Sequence, residues 1–321
     1  MGARPARSGH GGVRAGVLAG VVAVVALGLA VWLWVWPFAT VTEDFLPGSA
    51  PAGGLRRNAW TVADDQLTFA VVGDNGSGGR NALRVANQMA RAYQRVPYGL
   101  IVNVGDLVYY GSLADRYDEV LVRPLKPLLD AGVVVRPAIG NHEWDYESTL
   151  RELELLGLPG RYYAFRSGPA EFFMLDSTPP HFDGDGGAAQ LAWLQQRLQG
   201  STAPWKFVVL HHSPYSSGRH GSYLDIREKL EPLLVQYGVD VVFSGHDHDY
   251  ERTTPQQGIV YVVSGAGAKL TPVGSSDFTA ASAEKLQFVL VEIKGRQLTA
   301  TAIDDKGDEF DRFTLDNGGS A

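Results

Sequence analysis

The sequence has no cysteine among its 321 residues. Disulfide bonds, iron–sulfur clusters and thiolate zinc sites are therefore excluded, and any bound metal must use nitrogen and oxygen ligands. The lack of disulfides does not by itself assign the chain to the cytosol. Hydrophobic residues make up 45% of the chain, which is enough for one large domain with a sizeable core.

Acidic residues are absent from positions 1–38, where Arg4, Arg7 and Arg14 are the only charged side chains. Of the 28 basic residues, 25 remain for the rest of the chain against all 35 acidic residues, a formal charge of −10. Nonspecific nucleic-acid binding needs a basic surface. The sequence accordingly predicts no nucleic-acid-binding surface, and no feature of it predicts a protein partner.

Charge is absent altogether from Ala15 to Phe38, a run of 24 residues. A helix of this length, rising 1.5 Å per residue, exceeds the ~30 Å hydrocarbon core of a bilayer. Trp32, Trp34 and Trp36 lie at its far end, where interfacial aromatic residues are found. Because the basic segment 1–14 predicts a cytoplasmic N-terminus, residues 15–38 are predicted to be a single-pass anchor in the cell membrane, with the rest of the chain outside.

A cleaved signal peptide is the alternative interpretation of residues 15–38, and it would release a secreted protein. The apolar core of such a peptide is usually about 7–15 residues long and is followed by small residues at the cleavage site. The run in this chain is longer and ends in bulky rings, so a membrane anchor is the preferred prediction.

Residues 39–60 contain the Pro/Gly-rich stretch 47–54 and are predicted to be a flexible linker. The domain predicted for residues 61–316 begins with alternating strands and helices and ends in strands. Predicted helices cover 79–96, 115–131, 146–156, 187–198 and 222–237. Predicted strands cover 67–73, 100–104, 132–138, 171–176, 205–210, 239–244, 258–263, 286–293, 297–304 and 310–315. This order indicates an α/β (α+β) fold in which helices flank two packed sheets.

Five of the apolar strands are each followed by potential metal ligands. The candidates are Asp74, Asp106, Asn141, His212, His246 and His248. Side chains alternate along an extended chain, so His246 and His248 are expected to point the same way. By the same alternation His211 faces away from His212, which predicts that His211 belongs to the core or the surface. Polar residues at the ends of several strands predict one metal site at the carboxyl edge of a sheet.

The mixture of carboxylate, amide and imidazole donors suits iron, zinc, manganese or similar ions. Six positions are too many for one tetrahedral zinc, whereas two adjacent metals that share a carboxylate fit the number. Two-metal sites about 3.5–4 Å apart are typical of enzymes that displace phosphate esters. The metals in such sites generate hydroxide near neutral pH and clamp the phosphoryl oxygens.

Short motifs around these residues carry a family resemblance. They are Gly73–Gly76, Gly105–Tyr109, Gly140–Glu143, Val209–His212 and Gly245–His248. Together they resemble the calcineurin-like metallophosphoesterase superfamily, and specifically its purple acid phosphatase branch, over about residues 67–304. Most of the superfamily has Asp-x-His in the first motif. In this chain Gly76 replaces that histidine and Tyr109 follows Asp106 by three residues, the combination that marks the purple branch.

The resemblance implies a four-layer αββα sandwich of two mixed β-sheets and a centre of two metal ions. It implies an Fe(III)-type ion at Asp74, Tyr109 and His248, a divalent ion (Fe, Zn or Mn) at Asn141, His212 and His246, and Asp106 as the bridge between them. A phenolate is a hard anionic ligand that stabilises a trivalent ion. The ordinary alternative is that Tyr109 or Tyr110 only packs beside the site.

Two further histidines have catalytic roles implied by the resemblance. The position of His142 faces the phosphate in similar enzymes and assists the leaving group, and His220 matches a substrate-facing loop histidine. A solvated loop histidine is the alternative for His220, and Arg219 is an equally available bidentate donor to phosphate. Residues 265–283 are predicted to be a loop that forms one wall of the substrate site.

The predicted function is hydrolysis of phosphate monoesters by a membrane-anchored, exported enzyme. A metal-bound hydroxide would attack phosphorus while His142 protonates or hydrogen-bonds the leaving oxygen. Phosphodiester or nucleotide hydrolysis is the enzymatic alternative, because the motifs define the chemistry and the loops define the substrate. A non-catalytic, metal-stabilised binding module is a further alternative. Such a module is expected to lack a ligand or His142, and neither is missing.

The predicted membrane topology is tested on intact cells. Because the arginines keep residues 1–14 inside, protease added outside should remove the domain that begins near residue 61. Protection of that domain until the cells are lysed would contradict the orientation. A mature N-terminus within residues 39–50 would instead identify a cleaved signal peptide.

Overall fold

Two mixed β-sheets that face each other form the centre of the fold in a computed structural model of the chain. The structure describes residues 65–143, 146–179 and 182–318. The predicted N-terminal segment, membrane anchor and linker, residues 1–60, lie outside these ranges. Within the described ranges, no helix has both the length and the apolar character needed to cross a bilayer.

The elements of the described residues follow in chain order. The strands are β1 (Gln66–Val72), β2 (Leu100–Asn103), β3 (Val134–Pro137), β4 (Tyr163–Ser167), β5 (Ala170–Met174), β6 (Trp205–Val209), β7 (Val241–Ser244), β8 (Tyr250–Thr253), β9 (Val260–Ser264), β10 (Thr279–Ala283), β11 (Gln287–Lys294), β12 (Gln297–Asp304) and β13 (Glu309–Asp316). The α-helices are α1 (Arg80–Arg95), α2 (Leu113–Tyr117), α3 (Arg123–Asp130), α4 (Tyr146–Leu156), α5 (Gly184–Gly200) and α6 (Leu224–Gln236). A π-helical turn covers Asp118–Val122 and a 3₁₀ turn covers Asn141–Glu143.

Parallel strands of both sheets end at a common edge. The first sheet has the order β13-β12-β11-β1-β2-β3, with β1, β2 and β3 parallel. The second has the order β10-β8-β9-β7-β6-β5-β4, with β5, β6, β7 and β9 parallel. After β1, the backbone N–H of Gly73 donates to the carbonyl of Ser264 at the end of β9, at 2.9 Å. The predicted site residues lie at the edge where these strand ends meet.

Alternating side chains of the strands build the core between the sheets. In β1, Phe69 points into this core, whereas Ala70 and Val72 point towards the helices. The ring of Phe69 makes edge contacts with Phe172 and Phe207, with centroid distances of 5.1 Å and 5.4 Å. Burying one such ring contributes about 1.5–3 kcal/mol, so the packed interface between the sheets strongly stabilises the framework of the site.

Helices cover the outer faces of the sheets through apolar residues spaced by about one helical turn. Val85, Met89 and Ala92 of α1 pack on the first sheet, and Ile226 and Leu230 of α6 pack on the second. Side chains at this spacing share one face of a helix. Two mixed sheets with flanking helices are therefore confirmed.

The predicted helix 115–131 is instead three consecutive segments, α2, the π-helical turn and α3. The N–H of Arg123 bonds to the carbonyl of Asp118, five residues earlier, and Pro124 follows in the first turn of α3. Proline has no backbone N–H and its ring displaces the carbonyl four residues before it. The wider π-helical turn before Pro124 accommodates the missing N–H and the displaced carbonyl, and the apolar side chains of this segment still share one face.

Three strands, β4, β8 and β10, are not predicted from the sequence. Of these, β10 is an edge strand of small residues, Thr279–Ala283, and it pairs irregularly with β8. Small side chains give little apolar alternation for prediction. Because β10 occupies the end of the predicted loop 265–283, the loop itself ends at Phe278.

Candidate metal centre

Strained backbone marks three of the predicted ligands. Asp74, Asp106 and His246 each follow a glycine just past a strand end and have φ values of 54°, 56° and 69°. In the described residues, Gln257 is the only other non-glycine residue with a positive φ. Such conformations are unfavourable for L-residues and concentrate at functional sites. They turn the chain sharply off each strand, so that the side chains point into the space between the strand ends.

Asp74, Asp106 and His248 form one group of potential ligands, whose donor atoms all lie within 4.8 Å of one another. The hydroxyl of Tyr109 joins this group, 3.1 Å from Nε2 of His248 and 3.4 Å from Oδ1 of Asp74. Tyr110, by contrast, is 69% exposed. The structure therefore brings Tyr109, and not Tyr110, to the group.

Gly76 is packed against the backbone that carries Tyr109. A Cβ atom at position 76 would lie 2.3 Å from the backbone nitrogen of Val108. The N–H of Gly76 donates to the carbonyl of Asp106, and the N–H of Tyr109 donates to the carbonyl of Gly76. A histidine at position 76 thus requires the turn after β2 to move. This contact gives a physical reason why glycine at 76 accompanies tyrosine at 109.

A second group of donor atoms adjoins the first. Nε2 of His211 lies 3.0 Å from Oδ1 of Asn141, 3.2 Å from Nδ1 of His246 and 3.4 Å from Oδ1 of Asp106. Asp106 therefore belongs to both groups. The family resemblance implies that this carboxylate is the bridge between two metal ions.

The ring that contacts Asn141 and Asp106 is that of His211, the neighbour of the predicted ligand His212. Strand β6 ends at Val209, so the alternation that would turn His211 away no longer holds at the two histidines. His212 instead shares a 2.9 Å hydrogen bond between Nδ1 and the hydroxyl of Ser177, and its ring packs on His246 at 4.5 Å. The Val-x-x-His motif occurs twice, as Val208–His211 and as Val209–His212, and the first copy identifies His211.

His211 and His246 are each oriented by a hydrogen bond at the ring nitrogen that faces away from the second group. Nδ1 of His211 lies 2.9 Å from the carbonyl of Val104, and Nε2 of His246 lies 2.9 Å from the hydroxyl of Tyr223. A backbone carbonyl accepts only from a protonated ring nitrogen, which leaves the other nitrogen of His211 with a free lone pair. His246 likewise directs Nδ1 towards the second group.

Glu143 connects two of the strand-end loops through hydrogen bonds. Its buried carboxylate accepts hydrogen bonds from the backbone N–H groups of Asp106, Val108 and Gly140, at 2.9, 3.0 and 2.8 Å. The first two donors follow β2 and the third follows β3. Glu143 belongs to the Gly-Asn-His-Glu motif, but its role depends on partners more than 30 residues away and is not predicted from the sequence.

The charges of the site favour bound cations. Burial raises the pKa of Asp74 well above its usual value, and burial together with the charge of Asp74 raises the pKa of Asp106. Burial lowers the pKa of His246 to about 2 and of His248 to about 4. Neutral imidazoles offer lone pairs to metals, and crowded buried carboxylates need cations to stay ionised. The donor set therefore fits metal ions.

Burial also raises the pKa of Tyr109, and the negative charges of Asp74 and Asp106 raise it further. Without a cation the side chain is a neutral phenol. A bound metal ion reverses this effect, because its positive charge favours the ionised form of an acid that it contacts.

The two predicted catalytic histidines border the donor groups without joining them. The side chain of His142 is 41% exposed, and its Nε2 lies 3.9 Å from Oδ2 of Asp106. The exposed ring of His220 packs against that of His246 with a centroid distance of 4.1 Å and a tilt of 41°, and its backbone N–H donates to Asp247 at 2.7 Å. Both rings therefore lie at the open side of the site, where a substrate would enter.

Comparison with known proteins places the chain in a family. A family model described as "Calcineurin-like phosphoesterase" matches residues 67–250. Purple acid phosphatase 17 of Arabidopsis thaliana is 28% identical over 236 residues, covering 64% of this chain and 70% of that protein. Tartrate-resistant acid phosphatase type 5 of Rattus norvegicus is 25% identical over 300 residues, covering 79% and 92%.

A solved structure titled "GAP50 the anchor in the inner membrane complex of Plasmodium" shares the fold. It has a TM-score of 0.71 and 18% identity, and the match covers 78% of this chain and 89% of that one. The chain thus belongs to the calcineurin-like phosphoesterase family, in its purple acid phosphatase-like branch, and is a phosphate-ester hydrolase.

Proposed function

We propose that this chain hydrolyses phosphate monoesters at a centre of two metal ions. The supporting observation is that the donor side chains form two groups that share Asp106. The proposed ligands are Asp74, Tyr109 and His248 for an Fe(III)-type ion, Asn141, His211 and His246 for a divalent ion (Fe, Zn or Mn), and Asp106 for both. His211 replaces His212 in this assignment because its ring nitrogen lies among the donors of the second group.

The bound cations would lower the pKa of a coordinated water and offset the charge on the phosphoryl oxygens. The side chains of the protein supply the remaining steps. His142 lies beside the shared carboxylate of Asp106 and faces the open side of the site, where a protonated imidazole can donate to the leaving oxygen. His220, whose ring packs against that of His246, is placed to hydrogen-bond the substrate.

Burial and the charge of Lys269 lower the pKa of His142 below its ordinary value of 6.5. His142 is therefore protonated, and able to act as an acid, only at acidic pH. Its contribution is present below its lowered pKa and is lost as the pH rises through that value. A contribution that is lost as the pH rises is expected of an acid phosphatase.

Phosphodiesters and nucleotides are the alternative substrates, because the same groups can act on any phosphoryl centre. A panel of monoesters and diesters offered to the purified chain, together with metal analysis, separates these classes. The fold shared with a protein titled as an anchor does not by itself require catalysis. The complete set of donors together with His142 favours hydrolysis over a purely structural role.

Export of the domain and its attachment to the cell membrane through residues 15–38 are part of the same proposal. They are supported by the uncharged run of 24 residues and by the arginines that precede it. Secretion after signal-peptide cleavage remains the alternative.

The ligand assignment at the second metal position is tested by two neighbouring substitutions. His211→Ala should lose the divalent ion, because it removes a donor of the second group. His212→Ala should keep both ions, with affinity for the divalent ion weakened about 10–100-fold, the usual cost of losing a supporting contact. Metal content after dialysis is the measurement. The opposite pattern would restore His212 as the ligand.

The role of Tyr109 is tested by colour and iron content. A phenolate bound to Fe(III) should give a visible charge-transfer band, so Tyr109→Phe should abolish the band and weaken iron retention. Tyr110→Phe is the matched control and should leave both unchanged, since Tyr110 lies outside the donor group. An active, colourless wild type that holds only zinc or manganese would show that the Fe(III) assignment is incorrect.

The proton-donor role of His142 is tested by kinetics at several pH values. His142→Ala should retain both metals and lose about 10²–10⁴ in kcat, the range typical of general acid catalysis. The loss should be smaller for substrates with good leaving groups, and it should shrink as the pH rises and the wild-type imidazole loses its proton. Loss of metal from His142→Ala would contradict a separate catalytic role.

A further inference from the structure

Three buried carboxylates belong to the segment that carries His246 and His248, and the proposed chemistry uses none of them. Asp247, Asp249 and Glu251 are 1%, 0% and 1% exposed. They occupy every second position of the segment, and we call them the acidic row. Carboxylates are almost never fully buried unless they are paired, because burial removes the water that stabilises their charge. Each member of the acidic row therefore needs a partner inside the protein.

Two members of the acidic row bind the loop that carries His220. The carboxylate of Asp247 accepts the hydroxyl of Ser216 at 2.6 Å and the backbone N–H of His220 at 2.7 Å. The carboxylate of Glu251 accepts the backbone N–H of Ser217 at 2.5 Å. The acidic row therefore helps to position the loop that brings His220 to the open side of the metal centre.

Asp249, the central member of the row, has no hydrogen-bond partner. Both of its carboxylate oxygens are buried, and neither accepts a hydrogen bond from any residue that the structure describes. The charges that act on it most strongly are those of Asp247, Glu251 and Asp74, all of them negative. A buried carboxylate among like charges is unfavourable unless a cation lies beside it. The surroundings of Asp249 thus lack one positive charge.

The unpartnered carboxylate of Asp249 points to the place where the loop meets Asp247. A Cβ atom at Gly218 would lie 2.4 Å from Oδ2 of Asp249 and 2.6 Å from Cγ of Asp247. Glycine at 218 therefore lets the loop approach both carboxylates, which lie close to each other on either side of it. A calcium ion contacts its oxygen ligands at about 2.3–2.6 Å, so one ion can contact both side chains.

We propose that Asp247 and Asp249 bind a structural calcium ion, separate from the metal centre, that holds the loop of His220 in place. The two side chains offer only oxygen, which suits Ca²⁺, Mg²⁺ or Mn²⁺ better than the ions that imidazoles bind. Mg²⁺ usually keeps several of its waters, whereas Ca²⁺ accepts irregular sets of about six to eight oxygens. Because both carboxylates are closed off from solvent, Ca²⁺ is the better fit. The inference goes beyond the proposed function and does not depend on hydrolysis.

The site is tested by calcium binding to the purified full chain with its other metals bound. Equilibrium dialysis against radioactive Ca²⁺ should show a single additional ion in the wild type. Asp249→Asn should not bind this ion, because the amide keeps the shape of the carboxylate but not its charge, and it should retain the other metals. A wild type that binds no Ca²⁺, or an Asp249→Asn variant that binds it equally well, would overturn the site. Loss of iron or of the divalent ion from Asp249→Asn would instead make Asp249 a support of the metal centre and would also refute the proposal.

Asp240→Asn is the matched control. The carboxylate of Asp240 accepts the backbone N–H of Lys206 at 2.7 Å, and the residue directly precedes β7, at the sheet edge opposite the metal centre. Its substitution should leave calcium binding unchanged. Gly218→Ala is a second variant that keeps both carboxylates but presses a methyl group against them. It should weaken calcium binding about 10–100-fold, the usual cost of disturbing the surroundings of a metal ligand, and unchanged binding would contradict the proposed position of the ion.

The effect of the ion on the loop is tested by hydrogen exchange at the backbone N–H groups of Ser217 and His220, which donate to the acidic row. A ligand that binds only the closed loop opposes its opening by a factor of 1 + [Ca²⁺]/Kd. Free Ca²⁺ at ten times its Kd should therefore slow exchange of both groups about tenfold in the wild type. Asp249→Asn should exchange at the same rate with and without Ca²⁺. Exchange that does not respond to Ca²⁺ in the wild type, or that responds equally in Asp249→Asn, would overturn the role of the ion in the loop. Neither measurement uses hydrolysis, so a failure of the proposed function would leave both results unaffected.

Discussion

The buried carboxylate of Asp106 is the constraint on which the rest of the centre depends. It faces Asp74 in one donor group and His211 in the other, and its Oδ1 accepts the backbone N–H of His142 at 3.1 Å. The loops after β2, β3 and β6 are thus arranged around one side chain. Two buried carboxylates this close repel each other unless cations separate them. Metal binding and the correct arrangement of these loops are therefore linked equilibria.

The surrounding structure holds this arrangement in a strained form. The left-handed backbone at Asp74, Asp106 and His246 costs about 1–3 kcal/mol at each position. Glu143 helps to offset this cost by binding three backbone N–H groups at once. The packed interface between the sheets supports the same strand ends. This interface includes the ring of Phe69. A rigid framework of this kind keeps donor atoms in place before any substrate arrives.

The sequence predicts the framework well because the strands obey a simple rule. Apolar alternation followed by glycine and a polar residue places Asp74, Asp106, Asn141 and His246 at strand ends, and the structure brings these residues together. The rule fails where a strand has already ended, and that is why it does not predict the contacts of the His211 ring with Asn141 and Asp106. An edge strand of small residues such as β10 also lacks the pattern on which such prediction depends.

Supporting contacts are harder to predict because they join distant parts of the chain. Tyr223 meets the ring of His246 across 23 positions, and Ser177 meets His212 across 35. Nothing local in the sequence distinguishes these hydroxyls from others on nearby loops. Such partners determine which imidazole nitrogen carries the proton and which one can bind a metal. The choice is therefore seen only in the folded chain.

The contact between Gly76 and the backbone at Val108 limits how this centre can change. A side chain at position 76 would collide with the turn that presents Tyr109, so an imidazole at 76 and a phenol at 109 are alternatives. Either substitution made alone would displace the turn or remove the phenol from the donor group. A tyrosine-type and a histidine-type centre are thus separated by a concerted double change. The structure therefore couples the residue that is tolerated at position 76 to the turn that presents Tyr109, 33 positions later.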